Sequence, residues 1–167
     1  MNLALLLLRL LLAGLLFGHS MQKLRGWFGG AGPAGTGAIF QQWGFTPGRQ
    51  MALLAGTMEL LGAASIAAGF LTPGGCAIVI GTMTVAAVAT APKGFWAQQG
   101  GCEVPFCYAA LAVVIGFSGP GEWSFDHAFG LTALTGFWWG VAALLVGLAA
   151  AAVPLAMRSR ALKSTTR

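Results

Sequence analysis

The chain has 167 residues, of which 57% are hydrophobic and only 8% are charged, and its mean hydropathy is +0.78. Soluble domains carry about 25% charged residues, and disordered chains combine low hydrophobicity with high net charge, so both classes are excluded. The net charge of +5 does not indicate nucleic-acid binding, because the sequence has no basic stripe with interleaved aromatic residues. The composition therefore predicts an all-α integral membrane protein.

Five apolar segments are interpreted as membrane-spanning helices. The first contains one charge, Arg9, inside the segment, and no small-residue cleavage pattern follows it, so we expect it to be retained. The second contains a single charge, Glu59. The third and fourth are short for a hydrocarbon core that needs about 20 helical residues. The predicted spans are residues 3–21, 51–71, 75–91, 104–117 and 130–157.

The connecting segments differ in character. Residues 22–50 mix cations, glycines and aromatic residues, which predicts an amphipathic interfacial segment with one short helix around residues 37–43. The string Thr72-Pro73-Gly74-Gly75 predicts a tight turn, so the second and third spans should be an antiparallel pair. We expect four aromatic side chains to anchor the protein at the membrane interfaces. These are Trp27, Phe28, Trp96 and Trp123.

The basic residues predict the orientation of the chain. With five spans, residues 22–50, 92–103 and 158–167 share one side of the membrane and carry every cation except Arg9, whereas the opposite side carries none. Because cytoplasmic segments are enriched in lysine and arginine, we predict an outside N-terminus and a cytoplasmic C-terminus. Residues 158–167 are then a basic cytoplasmic tail.

Several strings resemble the DoxX family, and together they cover roughly residues 4–126. They are Leu8-Arg9-Leu10, Phe17-Gly18-His19-Ser20-Met21-Gln22-Lys23-Leu24, Phe28-Gly29-Gly30, Glu59, Gly94-Phe95-Trp96-Ala97-Gln98-Gln99-Gly100-Gly101-Cys102-Glu103-Val104-Pro105 and Gly119-Pro120-Gly121-Glu122-Trp123-Ser124-Phe125-Asp126. DoxX-like proteins are small bacterial membrane proteins with a four-helix core. The resemblance implies a four-helix domain over residues 1–129, an additional transmembrane helix at residues 130–157, and a bacterial inner-membrane location.

The resemblance also implies a function beside respiratory or redox chemistry. The chain is expected to be an accessory subunit of a quinone-linked oxidoreductase or a partner of a detoxifying enzyme, with no activity when isolated. A quinone or a lipid is the expected ligand, without a covalently bound cofactor, and other membrane subunits and membrane lipids are the expected partners. A non-catalytic structural or assembly subunit is the alternative. A small-solute carrier has less support, because no inverted repeat is recognisable.

Polar residues inside the first two spans are the candidate site. At about 100° per residue, Arg9, His19 and Lys23 fall on one stripe of the first helix. That stripe should face the helix bundle, because charges are costly in lipid. We expect Arg9 to pair with Glu59 near the bilayer centre. The pair is either a clamp between two helices or part of a site that accepts protons or binds a quinone carbonyl.

Three further features of the sequence give weaker predictions. His19 is the candidate proton donor, because an unperturbed histidine titrates near neutral pH; the alternative is an interfacial histidine hydrogen-bonded to a carbonyl group. Glu103 either forms a polar entrance with Lys23 or Lys93 or is a solvated loop carboxylate. Gly136 and Gly140 make a GxxxG pattern, typical of a face for close helix packing. The cysteines and histidines lack zinc-type spacing, so no metal site is predicted.

Overall fold

The computed structural model describes residues 2–165 and is helical over most of that range. Within it, four helices are long and apolar enough to cross a membrane, and a fifth apolar helix is shorter. The prediction of an all-α membrane fold is confirmed. The helices are α1 (Asn2–Leu24), α2 (Gly32–Gln42), α3 (Gly48–Ala68), α4 (Thr72–Thr90), α5 (Glu103–Ser118), α6 (Phe125–Ala128) and α7 (Phe137–Thr165). The shorter apolar helix is α5.

Helices α1, α3, α4 and α5 form a four-helix bundle, and α7 packs against α4 and α5 on its outside. All five contribute buried apolar side chains to one core, including Leu12, Ile66, Ile80, Ile115 and Ala143. Since lipid tails are as apolar as these side chains, helix association in a membrane depends on close packing and hydrogen bonds. The added helix α7 is therefore part of the packed body of the protein.

Glycine permits the closest contact between α4 and α7. A β-carbon at Gly81 would lie 2.9 Å from the carbonyl oxygen of Gly147, so the two backbones touch directly. Only one of the two glycines in the predicted GxxxG face packs closely on another helix. Gly140 packs on Phe117 of α5, but Gly136 precedes α7 with a φ of 105°, and a β-carbon there would meet no atom within 4 Å.

Three helix boundaries differ from the sequence predictions. The short helix predicted around residues 37–43 is α2, which begins five residues earlier, at Gly32. The predicted turn at residues 72–75 is the first turn of α4, where Pro73 is tolerated because N–H groups at that position have no partner within the helix. The chain reverses at Gly69 and Leu71 instead, both in the left-handed conformation. Helix α7 begins at Phe137, after a 3₁₀ turn, and continues to Thr165, so most of the predicted tail is helical. Arg167 lies outside the described residues.

The loops gather at two opposite ends of the bundle. The α2 end contains α2, residues 91–102 and the C-terminal part of α7, where Arg158 Nε donates to the Trp43 carbonyl oxygen at 2.8 Å. The Asp126 end contains the start of α1, residues 69–71 and residues 119–126. Helix α5 connects the two ends, and it therefore crosses the bundle although it has only 16 residues.

Candidate functional site

Glu59 of α3 is paired with Lys23 of α1. Lys23 Nζ donates to Glu59 Oε2 at 2.8 Å and to the His19 carbonyl oxygen at 3.2 Å. The Glu59 side chain is 3% exposed and the Lys23 side chain 18%. One turn earlier on α1, the Ser20 hydroxyl donates to the Gly56 carbonyl oxygen at 2.8 Å. The polar stripe of α1 therefore faces α3, as the sequence predicted.

The predicted Arg9–Glu59 pair is wrong. Arg9 is buried and donates to backbone carbonyl oxygens. Its acceptors are Ile66 at 2.9 Å, Ala67 at 2.8 Å, Pro120 at 2.6 Å and Trp123 at 2.9 Å. Ile66 lies about 10 Å along α3 from Glu59, so Arg9 belongs to the Asp126 end, beyond hydrogen-bonding reach of Glu59.

Asp126 completes the cluster around Arg9, and the sequence analysis gave it no role. Its carboxylate accepts from the backbone N–H groups of Leu71 and Thr72, at 2.7 and 3.0 Å, and from the Thr72 hydroxyl at 2.7 Å. These N–H groups begin α4, where a negative charge is stabilised. Asp126 also interacts electrostatically with Arg9. The sequence feature that could have drawn attention to Asp126 is that the chain has only four acidic residues.

A cavity of about 790 Å³ lies beside the Lys23–Glu59 pair, on the α2 side of the bundle. On α3 the lining of the cavity ends at Glu59, about one turn before Gly62, which is in close contact with Val79 of α4. Most of its lining is apolar. The lining includes Ala55 and Met58 of α3, Val85 and Ala86 of α4, Ala151 and Pro154 of α7, and Phe40, Trp43 and Phe45 at the α2 end.

Four titratable side chains line one part of the cavity: His19, Lys23, Glu59 and Tyr108. The rings of His19 and Tyr108 meet edge to face, with centroids 5.4 Å apart. Glu59 pairs with Lys23 through Oε2, and no hydrogen bond to its Oε1 is found among the described residues. The site therefore presents a cationic donor and a free acceptor beside an apolar volume. Sequence reasoning missed Tyr108, whose only signal is that it is the single tyrosine.

Glu103 does not take part in this site. Its Oε2 accepts from the backbone N–H of Ala97 at 2.8 Å, and this bond closes the loop that precedes α5. The predicted polar entrance with Lys23 or Lys93 is therefore wrong. Lys93 instead places its ammonium group 5.3 Å from the centroid of the Trp43 ring.

The predicted interface aromatic residues are exposed at the two ends of the bundle. Trp27, Phe28 and Trp96 lie at the α2 end and Trp123 lies at the Asp126 end. Interfacial anchors in membrane proteins occupy such positions, and the anchoring role stays a prediction. Within residues 2–165, no three histidine, cysteine or acidic side chains come together as a metal site.

Comparison with known protein families gives a match over the first part of the chain. The DoxX family model matches residues 4–92, which is more than half of the sequence. The match is shorter than the resemblance to about residue 126 implied. It includes His19, Lys23 and Glu59, and it ends before α5 and α7. Comparisons with curated proteins and with solved structures gave no match.

Proposed function

Because this chain belongs to the DoxX family, we propose that it is a membrane subunit of a quinone-linked redox complex whose quinone binds in the cavity beside Lys23 and Glu59. The observation that carries the proposal is the position of this buried ion pair at the side of an apolar cavity of about 790 Å³. Ligand sites typically have volumes of about 300–1,000 Å³, apolar walls and a few convergent polar groups.

The charges of the site favour a neutral ligand head. The Lys23–Glu59 pair has no net charge, so it offers no particular advantage to an anionic phosphate. Lys23 Nζ is placed to donate to a carbonyl oxygen of the head, and Glu59 Oε1 is placed to accept from a hydroxyl group. The two groups match the acceptor of an oxidised ring and the donor of a reduced ring.

The same side chains can donate and accept protons. A bound quinone would supply two-electron, two-proton redox chemistry, with the electrons exchanged with a partner subunit. Glu59, His19 and Tyr108 are titratable groups that line the cavity, and a proton donor or acceptor must lie within hydrogen-bonding reach of the reacting oxygen. In the proposed arrangement, Lys23 orients Glu59 and His19 supplies the second proton-transfer group.

Quinone content of the complex, purified with its partner subunits, tests this function. We expect quinone to co-purify with the wild-type complex, and we expect Glu59→Gln to weaken its retention by about tenfold, since a hydrogen bond to a charged group contributes about 1.5–3 kcal/mol. His19→Ala should lower turnover more than quinone content. Glu122→Gln, which changes an exposed carboxylate at the Asp126 end, is the matched control.

A wild-type complex without quinone would contradict the proposal and favour the structural or assembly subunit. The same holds if Glu59→Gln and His19→Ala keep both full quinone content and full turnover.

We also propose that the α2 end faces the cytoplasm of a bacterial inner membrane. Every described lysine and arginine except Arg9 lies at or near this end, as the positive-inside rule requires of a cytoplasmic face. Green fluorescent protein fused after Arg167 should therefore fluoresce, and alkaline phosphatase fused at the same position should be inactive. The reverse pattern would overturn the orientation.

A further inference from the structure

The cavity reaches the lateral surface of the bundle between α3 and α7. Both helices pack on α4, but the described residues form no substantial contact between α3 and α7. Cavity-lining side chains reach the surface on both sides of this gap. Leu54 of α3 is 50% exposed, and Val153 and Met157 of α7 are 63% and 49% exposed.

We propose that the gap between α3 and α7 is a lateral opening for the hydrocarbon tail of a long-chain prenylquinone whose head lies at the Lys23–Glu59 pair. This inference rests on the proposed function and adds the class of ligand and the route of its tail. The tail leaves the cavity between Leu54 and Val153 and extends into the bilayer.

Packed side chains border the cavity in two other directions. At the α2 end, Trp43 and Phe45 line the cavity. Arg158 holds this end together, because its Nε donates to the Trp43 carbonyl oxygen and its guanidinium group lies 5.7 Å from the Phe45 ring centroid. Toward the Asp126 end, the contact between Gly62 and Val79 brings α3 and α4 together. The gap between α3 and α7 is therefore a path from the cavity to lipid, bordered by the exposed apolar side chains of Leu54, Val153 and Met157.

The length of the cavity indicates a chain in addition to a head. Its lining on α4 extends from Ala77 to Thr90, which corresponds to about 20 Å of helix. One leaflet of the hydrocarbon core is about 15 Å thick, so the cavity is longer than a ring head group requires. It has the length and the apolar walls that a hydrocarbon tail needs.

The positions of the cations favour a prenylquinone over a phospholipid. Lys93 and Arg158 lie at the α2 end, and both contact aromatic rings there instead of lining the cavity. Apart from His19, the basic side chain that lines the cavity is Lys23, and Glu59 neutralises its charge. A phosphate would therefore find no uncompensated cation in the cavity.

Two matched pairs of tryptophan variants test the route. Leu54→Trp and Val153→Trp place a bulky ring at the two sides of the opening. Leu61→Trp and Leu145→Trp place the same ring on the same helices at residues that do not line the cavity, and these residues have similar exposure, 50% and 61%. Binding of a long-chain prenylquinone and of its tail-less ring analogue is measured for each purified complex in nanodiscs.

We expect both variants at the opening to weaken binding of the long-chain quinone by about tenfold, the size of a moderate steric cost. Binding of the tail-less analogue should be unchanged, and both control variants should behave as the wild type. If the wild type binds both compounds and the variants at the opening match their controls, the route is overturned while the proposed function stands. Equal loss of both compounds also overturns the route, because the substitutions then act on the head site.

Two other results would contradict the proposed function or the neutral head group, and not only the route of the tail. If the wild type binds neither compound, the proposed function itself fails. If mass spectrometry of the wild-type complex finds a phospholipid retained in place of quinone, the assignment of a neutral head is wrong.

Discussion

Replacing Arg9 with methionine should lower the free energy of unfolding by about 3–5 kcal/mol, because it leaves buried carbonyl oxygens without their donor. Arg9 is 1% exposed and joins α1 to the end of α3 and to the loop at residues 119–126. Its loss also leaves Asp126 without the positive charge with which it interacts. The measurement is the midpoint of unfolding by sodium dodecyl sulfate in mild detergent micelles.

Two control variants make the Arg9 result specific. Arg9→Lys should recover little stability, because an ammonium group cannot reproduce the planar, five-donor geometry of a guanidinium. Arg25→Met removes an exposed cation and should change the unfolding free energy by no more than about 0.5 kcal/mol. Equal midpoints for Arg9→Met and Arg25→Met would show that the carbonyl contacts do not stabilise the fold.

Replacing Lys23 with methionine should lower the free energy of unfolding by about 3 kcal/mol, since it leaves Glu59 buried without its partner. The value is at the lower end of the range for broken buried pairs because the Lys23 side chain is 18% exposed. The double variant Lys23→Met with Glu59→Leu should recover most of this loss, because two apolar side chains can replace a buried ion pair at little cost.

The double variant also separates the two roles considered for this pair. If the pair is a binding site, the double variant is stable but its complex holds no quinone. If the pair is only a clamp between α1 and α3, the double variant keeps full quinone content and full turnover. A double variant no more stable than Lys23→Met would contradict the ion-pair argument itself.

The sequence by itself determined the membrane fold and which side of α1 faces the other helices. A long apolar run in lipid must satisfy its backbone hydrogen bonds internally, so it forms a helix, and the first, second and third spans were predicted to within a few residues. Because charges avoid lipid, the spacing of Arg9, His19 and Lys23 was enough to predict which side of α1 faces the bundle. The basic residues other than Arg9 likewise lie at or near one end of the bundle, the α2 end.

Only the tertiary structure decided which groups meet. Arg9 binds backbone carbonyl oxygens, and every residue has one, so the sequence holds no signal for its partners. The partner of Glu59 depends on the relative axial position of α1 and α3, which places Lys23 within 2.8 Å of Glu59 and Arg9 near Ile66. An apolar pattern predicts which side of a helix is buried, but not how far that helix is shifted along its neighbour.

The position of the cavity and the packing of α7 also depend on how the helices are placed relative to one another. Gly62 and Gly147 are two of 26 glycines, and the sequence does not distinguish them from Gly136, where an added β-carbon would meet no atom within 4 Å. What distinguishes them is which residues lie opposite each glycine when the helices cross. The volume beside Glu59 is lined by residues of several helices, including α1, α3, α4 and α7, so it depends on how these helices pack and not on any one segment.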